Sequence, residues 1–505
     1  MKQMETDLVI ISAGTAGLAA AVAAAENGVK VSAFEKAATT GGTGNMGMGP
    51  FAVGSRLQKI KNVPLSAEDA FRIFMEYTHY RVDGRLVSEY INKSADTIQW
   101  LEDMGVVFVD VLAYVKGAHF THHAAAGASG HSGPQSSAMI MKAMTERARE
   151  LEVKFYLNTP VKKILKENGR ITGVIAQGPD GEEIQANARA VIIATGGFGD
   201  SPELIKKYTG YEWGKDIYSF RIPGLVGDGI RMAWEVGAGE EGLNMEITCS
   251  VPQKSLEENQ KSIMAGQAIT MSLFQQPGLL VNLFGERFMD EASGNPTFLG
   301  NAVSRQPKRC AFKIFDSTLI KYYEQNGLDF LSFMTPNPKI ENILEKAEIA
   351  AKDNEHVFIA DSLDSLAQKT GINVEGLKKT VEEYNKMCEV GRDPIFHKKA
   401  EYLRPLKGPK YVAGRIFPSG YGSLGGIKIN HRMEVVTQEQ EPIPGLYAAG
   451  VDATSIFADS YVFTLPGNTM GFALNGGRMA GENAVKYIKS QKKLRETRNN
   501  IRLSG

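Results

Sequence analysis

The stretch from Leu8 to Glu35 constrains the fold more than any other. Leu8-Val9-Ile10-Ile11 is a short, continuously apolar and β-favouring run, followed by small residues and then by the alanine-rich stretch Ala16 to Asn27, which stops at Gly28. A second apolar run, Val29 to Phe34, ends in Glu35. The order strand, tight turn, helix, strand predicts the β-α-β unit of a Rossmann-type α/β half.

Within the turn, the phosphate-binding pattern G-x-G-x-x-G reads Ser12-Ala13-Gly14-Thr15-Ala16-Gly17, with serine at the first glycine position. Gly14 lets the backbone approach a pyrophosphate, Gly17 permits close helix–strand packing, and N–H groups at the helix start supply an anion site. Ser12 must then tolerate a turn conformation that glycine takes freely. Glu35 follows at roughly the 20-residue spacing where a carboxylate accepts hydrogen bonds from an adenosine ribose. A small-residue turn also occurs as plain packing; the strand context and the terminal acid favour a dinucleotide site.

At 505 residues the chain has room for two or three domains, a cofactor domain and a substrate domain being the natural expectation. Lysine plus arginine (57) balances aspartate plus glutamate (57), which removes the drive toward phosphate backbones or anionic lipid, so no nucleic-acid partner is expected. The basic tail, Lys489, Lys492, Lys493, Arg495, Arg498 and Arg502, reads as a solvated helix end. No run approaches the about 18 apolar residues of a membrane span, and Met1 to Asp7 lacks a signal-peptide pattern, so a cytoplasmic location is expected. Cys249, Cys310 and Cys388 lie far apart without CxxC or CxxCH, so no zinc, iron–sulfur or c-type haem site is indicated, and redox chemistry would need an organic cofactor.

Val191 to Gly199 (VIIATGGFG) is a buried-strand pattern running into a glycine turn, and Ile443 to Gly450 (IPGLYAAG) repeats the logic. Leu465 to Gly471 (LPGNTMG) opens the last helix, predicted over Phe472 to Lys489; its N-terminus is a second place to stabilise negative charge. Thr195-Gly196-Gly197, Gly227-Asp228-Gly229, Asn282 to Glu291 (NLFGERFMDE) and the C-terminal IPGLYAAG, LPGN and GRMAGENA segments occur in that order. The ordered set resembles the flavoproteins of the fumarate reductase and succinate dehydrogenase group, which includes flavocytochrome c-like enzymes and urocanate reductases and, more distantly, 3-ketosteroid dehydrogenases.

The resemblance implies a Rossmann-like, glutathione-reductase-type FAD domain in two segments, 1–245 and 418–505, with an inserted α+β capping domain, 246–417. The shift to charged, helix-forming sequence in Ile340 to Lys352 and Val374 to Glu389 agrees with a cap. The positions matching the family's FAD contacts are Ala13, Gly14, Ala16, Glu35, Lys36, Gly41, Gly42, Thr43, Val161, Ala194, Thr195, Gly196, Asp228, Gly450, Asn468 and Met470, and Ser12 joins them through the turn. Where relatives often carry an acid after Gly450 this chain has Val451, and Asp452 is expected to take over its contact. No histidine lies between Gly41 and Gly49, where relatives that tether FAD carry one, so noncovalent FAD is expected.

The family's substrate-gripping cations do not carry over. Their positions fall at Val251 beside Pro252, near Ser272, Gln275 and Asn295, at Tyr421 and at Thr464. A dicarboxylate in a closed site without cations loses its hydration with nothing in return. Fumarate, succinate and urocanate are therefore excluded as substrates, and a neutral or weakly polar enone, enoate or ketosteroid-like substrate is expected. The match to the ketosteroid enzymes is partial, because their tyrosine before the C-terminal glycine turn corresponds to Phe463.

The expected chemistry is reduction or desaturation of a C–C bond next to a carbonyl, with a tyrosine, Tyr421 or Tyr461, handling the proton. Asp459-Ser460 is placed to orient Tyr461. Either tyrosine also reads as a packed ring with one satisfied hydroxyl. His119, His122, His123 and His131 form the chain's histidine cluster, but no acid or cysteine accompanies them, and their glycine–alanine setting suits a loop near a ligand better than a metal site. Two other readings remain: a flavoprotein subunit relaying electrons to a partner, and a non-redox hydratase or isomerase with structural FAD. The electron donor or acceptor is expected to be another redox protein or reduced flavin.

Overall fold

The structure is a computed structural model. It describes residues 1–133, 135–218, 222–252, 272–331 and 339–503; of Tyr421 and of residues 494–503 it describes the backbone alone. The side chains of Arg495, Arg498 and Arg502 therefore lie outside the described residues, as does Pro134 beyond the histidine cluster.

The predicted β-α-β unit forms strand Leu8–Ile11, helix Thr15–Glu26 and strand Val31–Phe34. Both strands are buried at every residue, as strands covered on both faces require. They lie in a six-stranded sheet ordered Glu434–Val436, Pro442–Ala448, Ala190–Ile193, Leu8–Ile11, Val31–Phe34, Lys154–Tyr156. Ala190–Ile193 pairs in parallel with Leu8–Ile11 on one side and with residues 446–448 on the other. Segments far apart in the chain thus complete one sheet.

Helix Asn468–Leu503 begins before the expected Phe472 and packs along Thr15–Glu26. The two backbones touch: a Cβ on Gly477 would lie 2.3 Å from the Ala16 carbonyl oxygen, and one on Gly481 would lie 2.6 Å from that of Ala20. Among the described residues, no helix is long and apolar enough to cross a membrane.

A second, antiparallel sheet runs Glu240–Ser250, Tyr411–Ile427, Ala311–Asp316, Leu279–Val281, with Val357–Ala360 also pairing with Tyr411–Ile427. Helices Ile343–Asp353 and Val374–Val390 fall where the charged stretches predicted them. Apolar burial divides into two clusters. One gathers residues between Leu8 and Ile247 with others between Leu424 and Ile488; the second gathers residues between Val251 and Ile416. The strands Glu240–Ser250 and Tyr411–Ile427 join them as one paired ribbon.

Candidate active site

A cavity of about 490 Å³ opens at the carboxyl ends of the parallel strands. Ile11, Phe34, Ala194 and Gly450, at or just beyond those ends, all line it, which is where open α/β sheets place their ligands.

The strand–helix turn forms one end. Ser12 has φ +88°, the glycine-like conformation the sequence required of it. Its hydroxyl donates to Glu35 Oε2 at 2.9 Å and accepts from the Gly14 N–H at 3.2 Å. Glu35 also accepts from the backbone N–H groups of Ala13 (2.7 Å) and Ala37 (2.8 Å), so the strand-end carboxylate braces the turn as well as facing the cavity. Helix Thr15–Glu26 starts at Gly14 with no side-chain cap and no acid in its first turn, which leaves its N-terminal field for a ligand's anionic groups. Gly17 is required by packing, since a Cβ there would sit 2.1 Å from the Ser12 carbonyl oxygen. Lys36 donates to Asp228 Oδ2 at 2.7 Å and to the Gly224 carbonyl.

Gly14, Ala16, Gly42, Thr43, Val161, Thr195, Gly196 and Met470 line the same cavity, so most of the positions expected to contact FAD are brought together. Four are placed differently. Ala13 and Gly41 hold each other, the Gly41 N–H donating to the Ala13 carbonyl at 2.8 Å, and neither reaches the cavity wall. Asp452 is fully buried and turned inward, where it accepts from the Thr195 hydroxyl, the Gly197 N–H (2.8 Å) and the Thr195 N–H. It therefore shapes the Thr195–Gly197 turn and is not among the residues lining the cavity. Burial pushes its carboxyl up, against those hydrogen bonds. Asn468 is likewise buried: its amide donates to the Val462 carbonyl at 3.3 Å and to that of Leu465, while its oxygen accepts from Tyr90 at 2.8 Å.

The other lining cluster is largely aromatic. Tyr461 and Phe463 meet at 4.8 Å between centroids, Phe457 packs on Tyr461 at 5.1 Å, and Tyr114 lies 6.2 Å from both Phe463 and His122. Tyr461 Oη accepts from the Thr469 N–H at 3.0 Å, so this donor at the start of the last helix is already engaged. Burial, then the neighbouring Glu246, push the Tyr461 hydroxyl well above its usual pKa. Asp459 and Ser460 do not orient this tyrosine. The turn carries them outward, where Asp459 pairs with Arg81 at 2.9 Å and Ser460 accepts from Asn301 at 3.4 Å. The Tyr421 side chain lies outside the described residues.

Two polar residues of this cluster escaped the sequence argument or were only half seen. Glu246 lines the cavity at 5% exposure, and burial pushes its carboxyl up to about 8, opposed by a hydrogen bond with the Thr469 side chain. His122 also lines the cavity, held neutral at about 3 by burial and by His123. His123 points away, its Nδ1 donating to the Thr121 carbonyl at 3.0 Å and its Nε2 accepting from Ser55 at 2.6 Å. Both belong to strand His122–Ala125 and not to a loop; His119 is half-buried and His131 exposed. Among the described residues no histidine, cysteine or acid cluster could hold a metal.

The positions where the resemblance would put substrate-binding cations hold neutral residues, all but Tyr421 with described side chains. Asn295 caps helix Pro296–Ser304 and donates to the Tyr77 hydroxyl at 3.3 Å, while Val251 and Ser272 are buried. The Thr464 hydroxyl is buried without a hydrogen-bond partner.

The comparisons with known proteins agree with this geometry. A family model described as an FAD binding domain matches residues 7–469. A vinyl phenol reductase of Lactiplantibacillus plantarum is 34% identical over 492 residues, covering 96% of this chain and 97% of that protein. A fumarate reductase (cytochrome) of Shewanella frigidimarina is 28% identical, covering 96% and 77%. Among solved structures, 3-ketosteroid-Δ4-(5α)-dehydrogenase of Rhodococcus jostii, in complex with 4-androstene-3,17-dione, superposes with a TM-score of 0.72 at 24% identity, covering 96% and 98%; at that identity the likeness is one of fold. With its phosphate turn, its uncapped helix start and its glycine-lined cavity fitting a dinucleotide, the chain belongs to the FAD-binding domain family and is an FAD-dependent oxidoreductase.

Proposed function

We propose that this enzyme reduces or desaturates a C–C bond conjugated to a carbonyl or a phenolic ring in a neutral or weakly polar substrate. The observation that carries the reading is that the described residues of the cavity wall offer no uncommitted cation. Among the described lining residues the sole lysine or arginine is Lys36, which is bonded to Asp228 and Gly224. A dicarboxylate there faces a desolvation cost of several kcal/mol per ion with no free counter-charge among the described lining residues.

FAD, when bound, supplies the hydride exchange. The turn from Ser12 to Ala16, with Glu35, Lys36 and Asp228, holds its nucleotide end, and the loop Gly41–Gly49, which carries no histidine, holds it noncovalently. The rings of Tyr114, Phe457 and Phe463 exclude water and suit a planar conjugated substrate. Tyr461, held protonated and fixed by the Thr469 N–H, handles the proton, with Tyr421 as the second candidate. The two apolar clusters support a Rossmann-like FAD domain of residues 1–245 and 418–505 and an α+β cap of residues 246–417. Electrons come from another redox protein or reduced flavin.

The test is anaerobic. Photoreduced enzyme is mixed with 4-vinylphenol, cyclohexenone, fumarate or urocanate, and flavin reoxidation is followed by absorbance. Vinyl phenol leads the panel because the 34% identical relative bears that name. A neutral alkene is expected to restore the oxidised spectrum while the diacid does not, and Tyr461→Phe is expected to keep the yellow cofactor but slow the reaction roughly 100-fold. Faster reoxidation by fumarate sinks the reading, and reoxidation by dyes or proteins alone favours an electron-relay subunit.

A further inference from the structure

Glu246 is an acid that the proposed chemistry leaves without a task. It lies in strand Glu240–Ser250 where the pairing with Tyr411–Ile427 slips: Met245 faces Ser423 and Ile247 faces Gly420, so two residues, 421 and 422, stand opposite Glu246. Such bulges re-aim a side chain and recur beside active sites. Met245 and Ile247 sink into the apolar core, while Glu246 between them reaches the cavity wall next to Thr469 and Tyr461. Among the described residues it has no ion-pair partner. A carboxyl so placed costs several kcal/mol if ionised and unpaired. Burial accordingly pushes it up to about 8, and near neutral pH it is mainly an uncharged donor and acceptor.

We propose that Glu246 determines which substrates the cavity admits, by hydrogen-bonding a neutral hydroxyl, carbonyl or amide group and turning carboxylates away. This rests on the cavity being the substrate site and narrows the class of substrate. A neutral carboxyl group donates to a carbonyl or phenol oxygen and accepts from a phenol or amide hydrogen, so both partners are satisfied. A carboxylate would instead bring a buried anion against an acid, with the one lysine of the described wall, Lys36, already paired with Asp228.

The probes are unreactive mimics with three different ends: 4-ethylphenol, 4-ethylbenzamide and 4-ethylbenzoate. Binding to the oxidised holoenzyme is read from the flavin spectrum and by calorimetry. Wild type is expected to bind the phenol and the amide at least about 10-fold more tightly than the benzoate. Glu246→Leu is expected to weaken phenol binding by about 10-fold, whereas Glu246→Gln, which still donates and accepts, stays within about 3-fold of wild type. Equal phenol affinity in wild type and Glu246→Leu overturns the assignment, as does tight benzoate binding by wild type. If the leucine variant loses FAD, the wild-type series decides. Should no alkene reoxidise the flavin while the Glu246-dependent preference persists, the reductase reading falls and this one stands. Turnover of vinylphenol with the same selectivity in all three proteins keeps the reductase reading and overturns the role of Glu246.

Discussion

Ser12 shows how a side chain alters the cost of a turn. A non-glycine residue at φ +88° carries strain of about 1–3 kcal/mol. The Ser12 hydroxyl offsets it with its bonds to Glu35 and to the Gly14 N–H. Ser12→Ala keeps the strain and loses the bonds, so a loss of about 1–3 kcal/mol is expected. Ser12→Gly loses the bonds but also the strain, and should fall nearer wild type. Chemical denaturation of the three proteins checks the order; an alanine variant as stable as wild type would show that the hydroxyl does not support the turn. Asp452 behaves in a similar way, since a carboxylate beside the cavity in sequence serves the backbone of the Thr195–Gly197 turn from behind it.

At the scale of elements, the NLFGERFMDE segment braces the second apolar cluster. Arg287 bonds Glu291 at 2.7 Å and Asp393 at 2.8 Å, and Lys398 lies 3.5 Å from Glu291, all four side chains being nearly or wholly buried. Burial raises the Asp393 carboxyl, but the Arg287 hydrogen bond and the N–H groups of Phe396 and Ile395 hold it down at about 2. Glu291 is also held low, desolvation being outweighed by Lys398 and Arg287. Folded values below the unfolded ones mean stability that is complete above about pH 4 and lost as pH falls toward 2. Wild-type melting temperature is expected to drop across that window. Asp393→Asn, which leaves Arg287 short of a partner, should start lower at neutral pH by about 3–5 kcal/mol and, with only Glu291 still held low, fall less on acidification than wild type. Parallel pH profiles for the two proteins would contradict this account.

At the scale of the molecule, the cofactor end depends on two helices meeting face to face. Thr15–Glu26 and Asn468–Leu503 approach closely enough that Gly477 and Gly481 have no room for a side chain. Gly477→Val would force them apart and disturb both the phosphate turn and the start of the last helix, near Gly467 and Thr469. The expected outcome is purified protein with less than about half the wild-type FAD content and a loss of about 1–3 kcal/mol from overpacking. A variant that melts and retains FAD like wild type would show that the contact is dispensable. The same scale explains the long strand Tyr411–Ile427, whose first part pairs with Ala311–Asp316 and whose second part pairs with Glu240–Ser250. One element thereby serves both apolar clusters, and an expected boundary at 417/418 falls within it.

The resemblance to the family supplied most of the residues named in advance that line the cavity, and the sequence by itself determined the opening strand, turn and helix, the buried strands and the charged helices after residue 340. These are local: each depends on a run of contiguous side chains whose period, size or conformational freedom admits few alternatives. Tertiary structure alone decided that Glu246 faces the cavity and that Asp452 and Asn468 do not. Glu246 carries no motif, and its orientation comes from a bulge formed against a strand about 170 residues later in the chain. Asp452 and Asn468 carry motifs yet turn inward, because nearby backbone N–H and C=O groups required partners. Adjacency along the chain brings a residue near a site, but burial and hydrogen-bond demand across distant segments set the direction in which it points.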